Sequence, residues 1–264
     1  MSKFIGIDLG TTSITAVLID IGSVDDPDRY PVRRQLSVDN QSQRDRPEHP
    51  IYSEWDLDQM INLAFGLLAD LVDGMPTQEI AGIGVTEQAH GMALLDERHR
   101  PYPAFIGWQD QRGNEIHSDD LTYVQRMRLV ADSTKLGSRP STGYMGTTLF
   151  RFSEKGQLPA KTQTCFAPDY LVGQLCQSPP VTDPTNAASS GLFNLQTNSW
   201  EADSLQSLGL PITRLPPVID ACTVVGPVKT LTPLAGIPVS VACGDNQASF
   251  LRYISVIVNM NCGG

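Results

Sequence analysis

The order of apolar and polar positions divides the chain into short strands, turns and a few helices. Residues 3–8 and 13–20 are apolar runs on either side of the turn Asp8-Leu9-Gly10-Thr11-Thr12-Ser13, and they predict two strands. Residues 22–50 are polar, with charges of both signs, and predict a short third strand near 30–38 followed by an exposed loop. Trp55, Met60, Ile61, Ala64, Leu67, Leu68 and Leu71 fall at helical spacing, so a helix is predicted over about 54–73, with Ser53 and Asp56 read as its capping box. IAGIGV (80–85) and MALLDE (92–97) predict two more strands around the tight segment TEQAHG.

Further along, residues 114–136 read as mostly helical but polar, and 146–156 and 168–176 as two short helices. PVSVACGDNQASF (238–250) reads as a strand, a Gly-Asp turn and the start of a helix, and residues 254–264 as a last strand ending in a glycine pair. Antiparallel neighbours at the start, followed by strand–helix units, predict an α/β fold with a mixed β-sheet flanked by helices. No internal repeat or low-complexity segment interrupts the pattern.

Composition narrows the function classes. The 264 residues are 41% hydrophobic and 18% charged, which is ordinary for a globular protein, and no apolar run is long enough to cross a membrane. No signal peptide is read at the start, and a cytoplasmic location is expected. The net charge of −10 argues against nucleic acid or an anionic membrane as partner. Cys165, Cys176, Cys222, Cys243 and Cys262 are scattered without a C-x-x-C pair, as expected of reduced thiols rather than a disulfide or zinc framework. His49, His99 and His117 lie in polar surroundings and are read as solvated.

Two carboxylates stand out because each ends an apolar run. Asp8 precedes Gly10, Thr11 and Thr12, whose backbone N–H groups and hydroxyls suit phosphate oxygens, with Asp8 able to hold hydrated Mg2+ beside them. A plain β-hairpin explains the same turn. Asp245 follows Cys243-Gly244 in the same manner. A phosphoryl-transfer site needs such a pair, one carboxylate for the metal and one for the proton of the attacking hydroxyl, whereas a helix N-cap is the alternative for Asp245. Between them, Gln88 and His90, then Trp108, Gln109, Asp110 and Arg112, supply the amides, imidazole, aromatic face, carboxylate and guanidinium that bind sugars. A buried structural histidine and a surface Asp110–Arg112 ion pair are the alternatives here.

Taken in order, GIDLGTTS (6–13), GIGVTEQAHG (82–91), GWQDQR (107–112), the Asp183, Asn186, Ala187, Ala188, Ser189 stretch and GDNQAS (244–249) resemble the motifs of the FGGY carbohydrate kinases, within the sugar kinase, actin and heat-shock ATPase superfamily. Among its subfamilies, the segments 168–176, 180–211 and 215–218 resemble the sedoheptulokinases most closely, with xylulokinase- and ribulokinase-like enzymes as alternatives. The resemblance implies a ribonuclease-H-like fold, ATP and Mg2+ as cofactors, and phosphorylation of a ketose, sedoheptulose to its 7-phosphate first among them. It implies Asp245 as general base and, with Asp8, as metal-binding. Gly10, Thr11, Thr12 and Gly263 are implied at the nucleotide phosphates, and Gln88, His90, Asp110, Arg112 and Asn246 at the sugar. A homodimer is a further expectation.

The sequence departs from the family pattern at three places. Glu87 stands where glycine is usual and Ala89 where methionine is usual. The final NMNCGG carries Asn261 and Cys262 where the second phosphate motif has glycine and threonine. The chain also ends at Gly264, so it is read as a truncated member: a first, sugar-binding domain over 1–250 and the beginning of a second over 251–264. An inactive remnant that only binds a sugar or a partner is the alternative to an active enzyme.

Overall fold

The structure, a computed structural model, describes residues 2–21, 31–102, 104–117, 120–131 and 134–249. Its centre is a seven-stranded mixed sheet. Strands β1 (Ser2–Leu9), β2 (Ser13–Ile21) and β3 (Val32–Asp39) form an antiparallel meander. β4 (Ile80–Glu87) pairs with the other side of β1, parallel to it. Beyond β4 come β6 (Pro238–Ser240), parallel, and β5 (Val224–Pro227), antiparallel to β6 at the edge. A two-residue strand β7 (Cys243–Gly244) continues along the same edge of β4 as β6.

The alternation in β1 and β2 is the two-residue period of a sheet. Ile5, Ile7 and Leu9 of β1 and Ile14, Ala16 and Leu18 of β2 are buried together on one face. Helix α1 (Leu57–Leu71) lays Met60, Ile61, Ala64, Leu67, Leu68 and Leu71 into the same core. The helix starts at Asp56, whose side chain accepts from the Gln59 amide at 3.1 Å. Ser53 therefore does not cap it; Glu54–Trp55, inside the expected helix, is instead a short strand between Phe105–Ile106 and Gln43–Arg44, the latter inside the stretch expected to be an exposed loop. Helix α4 (Ala167–Cys176) completes this core. A second cluster forms around α2 (Tyr123–Val130) and α3 (Met145–Glu154), with Met127, Leu149, Phe150, Phe193 and Trp200 buried in it.

The strand over Ala93–Leu95 joins a separate pairing with Gln163–Cys165. The helix expected over 114–136 is only the eight residues of α2, because the Thr122 and Gln125 side chains close a capping box at its start and Ile116 bridges Thr122 in extended pairing before it. His117 is not solvated: it stacks on Phe150, meets Tyr123 edge-on and pairs with Glu154 at 2.9 Å. The last expected strand, 254–264, lies outside the described residues.

Leu68 is fully buried between α1 and the sheet. Leu68→Ala is expected to lower unfolding free energy by about 2–5 kcal/mol in urea titrations, the range for a core cavity that cannot collapse. A cost below about 1 kcal/mol would contradict this packing.

Candidate functional site

The parallel pairing of β1, β4 and β7 decides what meets at the head of the sheet. Asp8 is the register partner of Thr86, and Thr86 is the partner of Cys243. The three strands point the same way, so their C-terminal ends, and the residues just past them, open on one edge, where ligands bind in sheets of this kind. The Thr86 hydroxyl donates to the Cys243 carbonyl at 2.8 Å and fixes the last of these pairings.

At this edge lies a cavity of about 390 Å3 lined by Asp8, Gly10, Thr11, Gln88, Ala89, His90, Trp108, Asp245 and Asn246. Burial, and next the neighbouring charge of Asp245, push the Asp8 carboxyl above the ordinary aspartate range. The two carboxylates expected to work together are thus electrostatically coupled across one cleft. Asp245 opens a helical turn over 245–249, and its side chain accepts from the Asn246 amide at 2.6 Å. It stands at a helix N-terminus and in the cleft at once.

The turn between β1 and β2 is a hairpin connection and also a wall of this cavity. Asn40, at the end of β3, pins it from behind: its amide donates to the Gly10 carbonyl at 2.9 Å, and its backbone N–H to the Thr12 carbonyl at 2.8 Å. A Cβ on Gly10 would stand 2.6 Å from the Ser13 carbonyl oxygen, so only glycine fits there. Thr12 is exposed and does not line the cavity. The Thr11 hydroxyl lines it, donates to Gln88 Oε1 and accepts from Trp108 Nε1 at 3.2 Å.

His90 holds a backbone φ of 91°, a strained region for a non-glycine residue of the kind that gathers at functional sites. Its ring stacks on Tyr144 with centroids 3.9 Å apart and planes 4° from parallel. Its Nδ1 lies 2.7 Å from the Ser189 carbonyl, which only accepts, so Nδ1 carries the proton. Burial lowers the His90 pKa, with the Ser189 carbonyl and Asp245 opposing it. The ring is then neutral near pH 7, with Nε2 as an acceptor.

Asp183, Thr185 and Ser189 hold both sides of the cleft from helix α5 (Pro184–Ser189). Asp183 caps α5 by accepting from the Asn186 amide at 2.9 Å. The Thr185 hydroxyl accepts from the Gly244 amide at 2.8 Å, next to Asp245, and Ser189 anchors His90. The Asp183–Ser189 motif is thus the brace of the site.

Asp110 and Arg112 do not reach this cavity. Both are buried: Arg112 Nε donates to Asp110 Oδ1 at 2.8 Å and Nη2 to Glu54 Oε1 at 2.7 Å, while Asp110 Oδ2 accepts from the Ser53 amide at 2.8 Å. Burial alone would raise Glu54, but the bonds from Arg112 and Arg46 outweigh it and hold that carboxyl below its usual range. The pair is neither a set of cleft contacts nor a surface ion pair. It fixes the base of the 107–112 segment, whose indole, Trp108, forms the cavity wall. Gly143, at φ 74°, lies under the Trp108 backbone, where a Cβ would come within 2.0 Å of its carbonyl oxygen. Gly263 falls outside the described residues.

Glu87 is the unexpected feature. It is fully buried one residue before Gln88, and among the described residues neither carboxylate oxygen makes a hydrogen bond of good geometry. Burial, then Asp169, push its carboxyl well above the glutamate range; the Ala167 amide offsets this only in part, and Asp245 and Asp8 add to it. Asp169, in the first turn of α4, is buried and raised in the same way.

Comparison with known proteins supplies the context. The profile described as "FGGY family of carbohydrate kinases, N-terminal domain" matches residues 3–251. A sedoheptulokinase from Mus musculus is 29% identical over 270 residues, covering 93% of this chain and 53% of that protein. A glycerol kinase from Alkalilimnicola ehrlichii is 28% identical over 266 residues, covering 94% of this chain and 50% of that protein. The crystal structure of xylulose kinase from Rhodospirillum rubrum superposes with a TM-score of 0.78 at 26% identity, covering 94% of this chain and 50% of that one. The chain spans about half the length of the relatives it matches.

Two outcomes follow. Arg112→Met leaves Asp110 buried without its cation and Glu54 with Arg46 alone, and is expected to cost about 3–5 kcal/mol of stability by denaturant titration; an effect under about 1 kcal/mol would contradict the buried network. The folded chain retains the Glu87 proton at pH values where the unfolded chain releases it, so this residue's contribution lowers stability as pH rises above the ordinary glutamate range. Glu87→Gln should therefore be more stable than the wild type at neutral pH, with the gap closing toward about pH 4. A gap that widens on acidification would overturn the assignment.

Proposed function

Because the chain belongs to the FGGY family of carbohydrate kinases, we propose that it binds a sugar and takes part in transferring the γ-phosphoryl group of ATP to one of its hydroxyls. The observation that carries the reading is the Asp8–Asp245 pair, coupled across a cleft whose remaining lining is amide, imidazole, indole and hydroxyl. Residues 1–250 are read as the sugar-binding domain and 251–264 as the start of a second; the extent of the family match supports that division.

In this reading Asp245 accepts the proton of the attacking hydroxyl as that oxygen bonds to the γ-phosphorus and the bond from phosphorus to the bridging oxygen breaks, releasing ADP. The same carboxylate orients that hydroxyl beforehand, which is where most of the gain arises when the chemistry needs little covalent help. His90 Nε2 accepts from one sugar hydroxyl, Asn246 and Gln88 address others, and the exposed face of Trp108 covers a C–H face. Gly10 and Thr11 offer backbone N–H groups to the phosphates. Two carboxylates with no lysine or arginine among the described cavity residues fit Mg2+, a hard cation that keeps several of its waters. When bound by Asp8 and Asp245 it would neutralise phosphate charge.

For the substrate, a ketose is favoured and sedoheptulose first, supported by similarity to a sedoheptulokinase; similarity to a glycerol kinase and a xylulose kinase makes glycerol and xylulose the comparators. A cytoplasmic location goes with a nucleotide-dependent sugar kinase, and no helix among the described residues is long and apolar enough to cross a membrane.

The test is ADP release by the purified chain with Mg-ATP and sedoheptulose, xylulose, ribulose or glycerol. Sugar-dependent turnover is expected, and Asp245→Asn should reduce kcat by about 10²–10⁴-fold, the range for a general base, while sugar binding persists. Absence of turnover with every sugar, from folded protein, would sink the catalytic reading.

A further inference from the structure

Thr11 sits in a phosphate-type turn, yet its hydroxyl is committed elsewhere. A hydroxyl has one proton to donate and two lone pairs. The Thr11 proton is directed to Gln88 Oε1, and one lone pair accepts from Trp108 Nε1. A phosphate oxygen needs a donor, and the only donor of this side chain is already engaged. The three residues come from separate parts of the chain: the β1–β2 turn, the end of β4 and the 107–112 segment. All three line the same cavity.

We propose that Thr11 is a positioning residue of the sugar side of the cleft: its hydroxyl fastens the Trp108 indole and the Gln88 amide to the turn and so sets the aromatic wall of the pocket. Each partner depends on this link. Trp108 has a single polar handle, its Nε1–H, and is 44% exposed, so the bond to Thr11 is the directional contact available to its ring. Gln88 is buried and its Nε2 has no partner among the described residues, so the Thr11 bond is what orients the amide there. The turn itself is rigidly held by Asn40. Position is thus passed from the sheet, through one hydroxyl, to two sugar-facing groups, while phosphates are left to the turn's backbone N–H groups.

The structural part is tested in the ligand-free chain, where the reaction plays no role. Trp55 and Trp200 are buried, so acrylamide quenching of tryptophan emission reports mainly on Trp108. Thr11→Val keeps the shape and removes both bonds. It should increase quenching and red-shift the emission, and Thr11→Ser, which keeps the hydroxyl, should match the wild type. A Trp108→Phe background should abolish the difference. Thr11→Ala replaces the valine variant if its melting curve shows a disturbed turn. Quenching unchanged in the folded valine or alanine variant would overturn the proposal.

The catalytic consequence rests on the kinase reading. With Mg-ATP and the preferred sugar, Thr11→Val should raise the sugar KM by about fivefold or more, as expected for lost hydrogen bonds, with the ATP KM changed by less than about twofold. A raised ATP KM with an unchanged sugar KM would assign Thr11 to the phosphates and overturn the proposal. If the wild type releases no ADP with any sugar, the kinase reading fails, and the quenching result still decides the role of Thr11.

Discussion

Everything at the head of this sheet depends on three parallel strand ends being held in one register. Asp8, Thr86 and Cys243 lie side by side on β1, β4 and β7. A slip of one residue would turn Asp8 into the core and Leu9 toward the cleft. The slip is opposed twice. The apolar face of β1 and β2 is buried against α1, and short hydrogen bonds tie β7 to its neighbours through Thr86 and Thr185. The coupling of Asp8 and Asp245 is a consequence of this register.

Around that frame the polar side chains divide into two populations. Those in the cleft keep unused capacity among the described residues: His90 Nε2, the Asp8 and Asp245 carboxylates and the Asn246 side chain. Those beneath it are largely saturated, as in the network of Arg112 with Asp110 and Glu54 or the capping of α5 by Asp183. Glu87 belongs to neither population. Among the described residues it lacks the partners that a buried carboxylate needs, and holding its proton is the least costly way to keep it there.

How much of this is legible in the sequence depends on the reach of each interaction. The β1–β2 hairpin, the buried face of α1 and the two strand-end carboxylates rest on local period and on residue type, and the structure has them as read. The roles of Asp110 and Arg112 do not, because the deciding partner, Glu54, is 58 residues from Arg112 and no spacing rule connects them. Tyr144 under His90 is equally remote. Asp183 to Ser189 could be noticed as a pattern, but its brace on Gly244 and His90 appears only when the chain is folded. The sequence predicts too long a helix over 114–136 because Gln, Arg and Met favour helix wherever they stand, while the Thr122 cap and the extended pairing of Ile116 set the actual limit.

The acidic cleft has a consequence for the order of events. A neutral sugar enters without electrostatic opposition, but a free nucleotide meets two carboxylates and no cationic side chain among the described cavity residues. On the kinase reading, nucleotide is admitted only as its metal complex. On the same reading the phosphorylated sugar is an anion, and once the metal and the Asp245 proton have left, the repulsion that keeps metal-free nucleotide out would favour its departure as well.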